Sequence, residues 1–130
     1  MLMVSAWVGK SEIHGLGLIA QEFIPEGTII WKFIPGFDVM LSQEEFGCLS
    51  EVSQKQVVHY GFYDDNTCNY VLSADDDRFT NHSDNANSKY CGEYAVASRN
   101  IYPGEEITDN YNEFGKRYCK ETRPNWAVKL

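Results

Sequence analysis

Apolar stretches in this chain never run long, because glycine and proline interrupt them at short intervals. Gly15 and Gly17 come first, Pro25-Glu26-Gly27 and Pro35-Gly36 follow, and Pro103-Gly104 stands near the other end. Glycine reaches backbone conformations other residues avoid, and proline fixes φ, so each cluster dictates a turn. Between them lie segments rich in β-branched and aromatic residues: "SAWVGKSEI", "GLIAQEF" and "TIIWKFI", then "GFYD", "NYVLSA", "YAVASRNI" and "EEITDNY". These read as short strands. "FIPEGTII" and "IYPGEEI" are alike, and a shared strand-turn-strand device explains this without an internal repeat.

One region reads as helical. Ser42-Gln43-Glu44-Glu45 is a capping box, with Ser at the N-cap and Glu three residues later. Phe46 and Leu49 then fall one turn apart on a face expected to be buried. Ser53-Gln54-Lys55-Gln56 forms a second box before Val57 and Val58. Gly47 and the serines weaken the middle, so two short helices are expected rather than one long one. The 130 residues therefore make one mostly-β domain with polar loops.

The formal charge is −8, which disfavours binding to nucleic-acid phosphates and suits a basic partner. Acidity for solubility alone is the plainer explanation. "MLMVSAWVGK" lacks the basic start and apolar run of a signal peptide, and no apolar run is long enough for a membrane span, so a cytoplasmic protein is expected. Cys48, Cys68, Cys91 and Cys119 are far apart, as are His14, His59 and His82. Such spacing does not suggest zinc, and the cysteines read as small buried or half-buried residues.

The stretch "DDRFTNHSDNAN", residues 76–87, has several readings. It could be a polar loop, a glycosylation acceptor at Asn81-His82-Ser83, or part of a metal site. A cytoplasmic setting largely removes the second.

Four pieces in order say more. "HGLGLIA", then "YGFYDDNTCNYVLSADDDRFTNHSDNAN", then "ASRNIYPGEEITDNY", and finally "NEFG" with a late Trp126, together resemble the SET-domain protein lysine methyltransferases. The resemblance extends especially to small bacterial members made of that domain alone. The resemblance covers roughly residues 5–114. It implies a β-clip-like fold of small curved sheets with a C-terminal segment threaded under the loop of Asn81 and His82 (a pseudoknot). Residues 1–114 would form the domain, and residues 115–130 a tail packing on or near the cofactor site. It implies S-adenosylmethionine as cofactor, S-adenosylhomocysteine as product, and methyl transfer to a lysine amine of a basic, histone-like or ribosomal protein. Cofactor and peptide would enter from opposite faces and meet through a narrow channel.

The resemblance assigns roles residue by residue. His14, Gly15, Leu16 and Gly17 would lie against the cofactor through main-chain groups, with Asn81 and His82 beside them. His82 would also lock the crossing. Tyr111, the last residue of Glu106-Ile107-Thr108-Asp109-Asn110-Tyr111, would be the central catalytic residue. With an ordinary pKa near 10 it makes a poor base, so orienting the amine and the methyl is its expected work. Tyr60 would wall the lysine channel, with Tyr63 or Tyr70 as substitutes. Phe114 or Trp126 would close the cofactor site. Arg78 reads as an ion-pair partner for nearby acids. Asp75-Asp76-Asp77 could attract a basic peptide but more simply reads as a solvated loop. Of Glu105 and Glu106, one should be solvated and the other structural, since neighbours on a strand point to opposite faces.

The chain departs from the family at two places. Asp109 stands where many members carry an aromatic or small apolar residue that influences how many methyls are added, so product multiplicity stays open. Ala86 replaces a usual proline. The alternatives are a degenerate SET module that binds cofactor or a lysine-rich peptide without turnover, and a purely structural interaction domain.

Overall fold

A computed structural model describes residues 1–114. Along the chain come β1 (Ala6–Lys10), β2 (Leu16–Ala20), β3 (Ile29–Lys32) and β4 (Val39–Ser42). Then follow α1 (Gln43–Gly47), α2 (Glu51–Tyr60), β5 (Phe62–Asp64) and β6 (Asn69–Leu72). A 3-10 turn, Asp76–Phe79, leads into β7 (Asn81–His82), β8 (Ser88–Tyr90), β9 (Tyr94–Ala97) and β10 (Glu106–Asp109). A last 3-10 turn spans Tyr111–Phe114.

The strands form three small sheets, ordered β1-β2-β10-β7, β3-β9-β8 and β4-β6-β5. The mostly-β architecture with two short helices is as the sequence implies. β2 sits between β1 and β10, and four of its five residues are buried, which explains its unbroken apolar run. Leu18, Ala20, Ile24, Ile30, Ala97, Ile101 and Ile107 make the main core. A second cluster of Trp31, Val71 and Ala95 lies beneath the other sheets.

Several local expectations are corrected. β4, β7 and β8 form where no strand was expected, β7 inside the stretch read as a loop and β8 directly after it. Tertiary pairing supplies what local preference does not: β7 is only two residues long and is held by β10. The Ser42 capping box is present. The second helix starts a turn earlier than Ser53, because the Ser50 hydroxyl accepts from the Ser53 amide and serves as N-cap. Phe46 and Leu49 are half-buried. Cys48, Cys68 and Cys91 are exposed rather than buried, and Cys119 lies outside the described residues. Among the described residues, no helix is long and apolar enough to cross a membrane, and no cluster of potential metal ligands occurs.

Candidate active site

The glycine turn between β1 and β2 is built on a polar buttress. Gly15 has φ +51°, and the Ser11 hydroxyl caps the turn by accepting from the Ile13 amide (2.9 Å) and the His14 amide (3.1 Å). Ser11 donates in turn to the Glu106 carboxylate at 2.7 Å. The Asn81 amide nitrogen faces His14 O (3.1 Å), Leu16 O (2.9 Å) and Glu106 Oε1 (2.9 Å), with Ser11 Oγ at 3.1 Å. Every one of these neighbours can accept, which fixes the donor end of the amide toward the turn. Glu106 is thus the structural member of the acidic pair. Gly17 backs onto it, since a Cβ there would collide with the Glu106 carboxylate.

The crossing lies next to this buttress. β10 runs antiparallel to β2 and parallel to β7, with Thr108 opposite Asn81 and Asp109 opposite His82. The other arm of the 81–88 loop grips β10 as well. The Asn87 side chain donates to Glu106 O (2.8 Å) and accepts from the Thr108 amide (2.9 Å), and Ser88 Oγ donates to Thr108 O (2.9 Å). His82 is fully buried. Its Nδ1 accepts from the Tyr111 amide at 3.1 Å, so a neutral ring carries its proton on Nε2 and donates to Asp84 at 3.0 Å. The Tyr111 hydroxyl donates to Thr80 O at 2.8 Å.

Two cavities meet at these residues. The larger, about 220 Å³, is lined by His14, Gly15, Leu16, His59, Phe79 and Asn81. The smaller, about 40 Å³, is lined by Trp31, Phe62, Asp77, Tyr90 and Asp109, among others. Tyr60, Arg78, Thr80 and Tyr111 line both. Tyr60, not Tyr63 or Tyr70, therefore stands at the junction. Gly17 and His82 line neither cavity and act from behind, through Glu106 and Tyr111 respectively.

Arg78 departs from its expected ion-pair role. Its guanidinium lies 5.6 Å from the Tyr60 ring centroid and 5.4 Å from that of Phe79, a cation–π arrangement. The acidic run is a solvated loop only in part, since Asp76 is exposed while its neighbours are tied into the structure. Asp75 accepts from the Leu2 amide at 2.8 Å and caps the 3-10 turn, and Asp77 accepts from Ser73 Oγ at 2.8 Å.

Electrostatics mark the smaller cavity. Burial, and then the charge of Asp109, raise the Asp77 carboxyl to about 7. Burial likewise raises Asp109 to about 6, against the lowering effect of its hydrogen bond from Ser88 and with Glu113 adding to the rise. Burial, followed by the neighbouring Asp64, pushes the Tyr90 hydroxyl far up. Ser11, Thr80, Trp31, Tyr90 and Asp77 were not singled out for the site from sequence, and only the departure at Asp109 pointed toward this cavity. The Phe114 side chain and Trp126 lie outside the described residues.

A clasped C-terminal strand, a buttressed glycine turn and two cavities sharing a tyrosine pair define a SET-type domain. The SET domain family model matches residues 15–112, and the chain belongs to that family. It is 30% identical over 128 residues to a histone-lysine N-methyltransferase of Debaryomyces hansenii described as H3 lysine-36 specific, covering 88% of this chain and 17% of that protein. It is 33% identical over 114 residues to a histone-lysine N-methyltransferase of Emericella nidulans, covering 82% of this chain and 17% of that protein. The chain thus spans about a sixth of the length of these relatives. A crystal structure of a Plasmodium falciparum putative histone methyltransferase superposes with a TM-score of 0.60 at 22% identity, covering 92% of this chain and 100% of that one.

Proposed function

We propose that this domain transfers a methyl group from S-adenosylmethionine to a lysine amine of a basic protein substrate. The observation that carries the proposal is the junction: Tyr60, Thr80 and Tyr111 line both cavities, so a group entering one meets there a group held in the other.

The larger cavity suits the cofactor. At Gly15 a Cβ would meet nothing within 4 Å, so the turn is open on that side, and its backbone is held from behind by Asn81. His14, Gly15, Leu16 and Asn81 would hold S-adenosylmethionine, which when bound supplies an electrophilic sulfonium methyl. Phe114 and Trp126 are proposed to close over it.

The chain's own residues do the positioning. Tyr111 is clamped at its amide by His82 and at its hydroxyl by Thr80, so its ring and oxygen have one place to be. Such pre-organisation supplies several kcal/mol in a two-reactant step. Tyr60 gives the lysine stem an aromatic wall. A formal charge of −8 favours a basic partner over nucleic acid, and a histone-like or ribosomal protein acted on in the cytoplasm is part of the proposal.

The test uses methyl-labelled S-adenosylmethionine with core histones and with a bacterial lysate, beside a Tyr111→Phe variant. Label on a protein band that falls at least ten-fold in the variant, about 1.4 kcal/mol of transition-state stabilisation, supports the proposal. Cofactor binding by calorimetry without any label transfer would favour a degenerate module, and absence of cofactor binding would sink both.

A further inference from the structure

Basic residues are spread unevenly along this chain. Residues 115–130 hold five of the 11 lysines and arginines, namely Lys116, Arg117, Lys120, Arg123 and Lys129, against one acid, Glu121. That segment therefore carries +4, and residues 1–114 carry −12, which together give the formal −8.

The chain enters this basic segment beside the tyrosine junction. The last described turn, Tyr111–Phe114, begins with the junction tyrosine itself. In that turn the Glu113 carboxylate accepts from the Tyr90 amide at 2.8 Å, and Tyr90 walls the smaller cavity. Asp64, Glu93 and Asp109 all act by their charge on the Tyr90 side chain, so the surroundings are acidic. The lysines of the body are placed differently. Lys10, Lys32, Lys55 and Lys89 are held in β1, β3, α2 and β8, and none of them lines either cavity. A lysine in a strand or helix travels no further than its own side chain unless its element opens.

We infer that this domain methylates its own chain at Lys120, within one molecule. This rests on the methyltransferase reading above and names a substrate for it. A segment of +4 joined to a body of −12 is drawn back onto that body. Lys120 stands six residues beyond Phe114 and six before Trp126, the two residues proposed to close the cofactor site. Six residues span up to about 20 Å, which is ample for two cavities that share Tyr60, Arg78, Thr80 and Tyr111. Lys116 is only two residues past Phe114, too few to complete a turn, and Lys129 lies outside the span between the two anchors. A lysine tethered in this way meets the junction at an effective concentration on the order of 1 mM, with no second protein required. In the transfer, the Lys120 amine first gives a proton to water. Its lone pair then forms the N–C bond to the sulfonium methyl as the C–S bond breaks, and the electron pair of that bond leaves on sulfur.

The test incubates the full chain with methyl-labelled S-adenosylmethionine and no other protein, at a low and a high protein concentration. Peptide mass spectrometry locates the label, which should sit on Lys120. The rate per molecule should be the same at both concentrations. Lys120→Arg should lower self-labelling at least ten-fold while binding the cofactor as wild type does in calorimetry. A second readout needs no turnover: with S-adenosylhomocysteine bound, acetic anhydride should modify Lys120 at least two-fold more slowly than Lys129. Cofactor binding without self-labelling, label on any other lysine instead, or self-labelling of Lys120→Arg within two-fold of wild type overturns this inference alone. So does a rate per molecule that rises with concentration, or equal acetylation of Lys120 and Lys129. No cofactor binding by wild type overturns the methyltransferase reading, and this inference falls with it.

Discussion

Tyr111 and His82 hold one another through backbone and ring together: the Tyr111 amide donates to His82 Nδ1 at 3.1 Å, and the ring centroids lie 5.1 Å apart. His82→Ala would leave that buried amide unpaired and open a space the size of an imidazole. Unpaired buried donors cost about 1–3 kcal/mol, and the space adds to it. A loss of about 2–4 kcal/mol in urea unfolding is expected. A loss under about 1 kcal/mol would show that the crossing is held elsewhere.

Asn81 should be intolerant of charge. Its amide nitrogen faces two carbonyls, a hydroxyl and the Glu106 carboxylate. Asn81→Ala removes a donor, but Asn81→Asp sets a second carboxylate against the first. The aspartate variant should therefore melt below the alanine variant at pH 8, and cofactor affinity should fall at least ten-fold in both. An aspartate variant as stable as wild type would mean that the buttress contributes nothing.

Gly17 and Glu106 should be coupled energetically. Gly17→Ala drives a methyl group into the Glu106 carboxylate, an overpacking cost of about 1–3 kcal/mol. Trimming the obstacle with Glu106→Ala should relieve part of it, so the double variant should be more stable than the sum of the singles by at least about 0.5 kcal/mol. Strict additivity in a denaturation cycle would contradict the contact.

The raised carboxyls give stability a pH dependence opposite to that of an ordinary ion pair. Asp77 and Asp109 bind protons more tightly folded than unfolded, at about 7 and about 6 against 3.8. Their contribution is thus fully present below pH 3.8 and is lost as pH rises through 6 and 7. Asp109→Asn removes one of the two and should be more stable than wild type at pH 8, by an amount on the order of 1–3 kcal/mol. The difference should vanish near pH 4. Urea midpoints at both pH values decide it, and an equal gain at both would point to packing rather than charge.

Much of this arrangement is legible in the residues themselves. Turns at Gly15, Pro25-Glu26-Gly27, Pro35-Gly36 and Pro103-Gly104 set the strand lengths, and the Ser42 box sets where α1 begins. What local pattern conceals is whatever depends on a distant partner. β7 is two residues with no apolar alternation, and only its pairing with β10 makes it a strand. Asp77 looked solvated because acids in a polar run usually are, and only the fold sets it with Asp109 in one cavity. Ser11 was unremarkable, and which of Glu105 and Glu106 is structural was left open, for the same reason: ninety-five residues separate the two ends of the Ser11–Glu106 hydrogen bond.

Because β10 completes the buttress behind the glycine turn, the site has an order of assembly imposed by translation. A nascent chain released from the ribosome only as far as residue 105 carries the residues of the turn, the 3-10 segment and the loop, yet it lacks Glu106 beneath Asn81 and the tyrosine that joins the cavities. Under the proposed function, methyl-donor affinity should therefore appear only once β10 has emerged, and stalled chains ending before it should bind none.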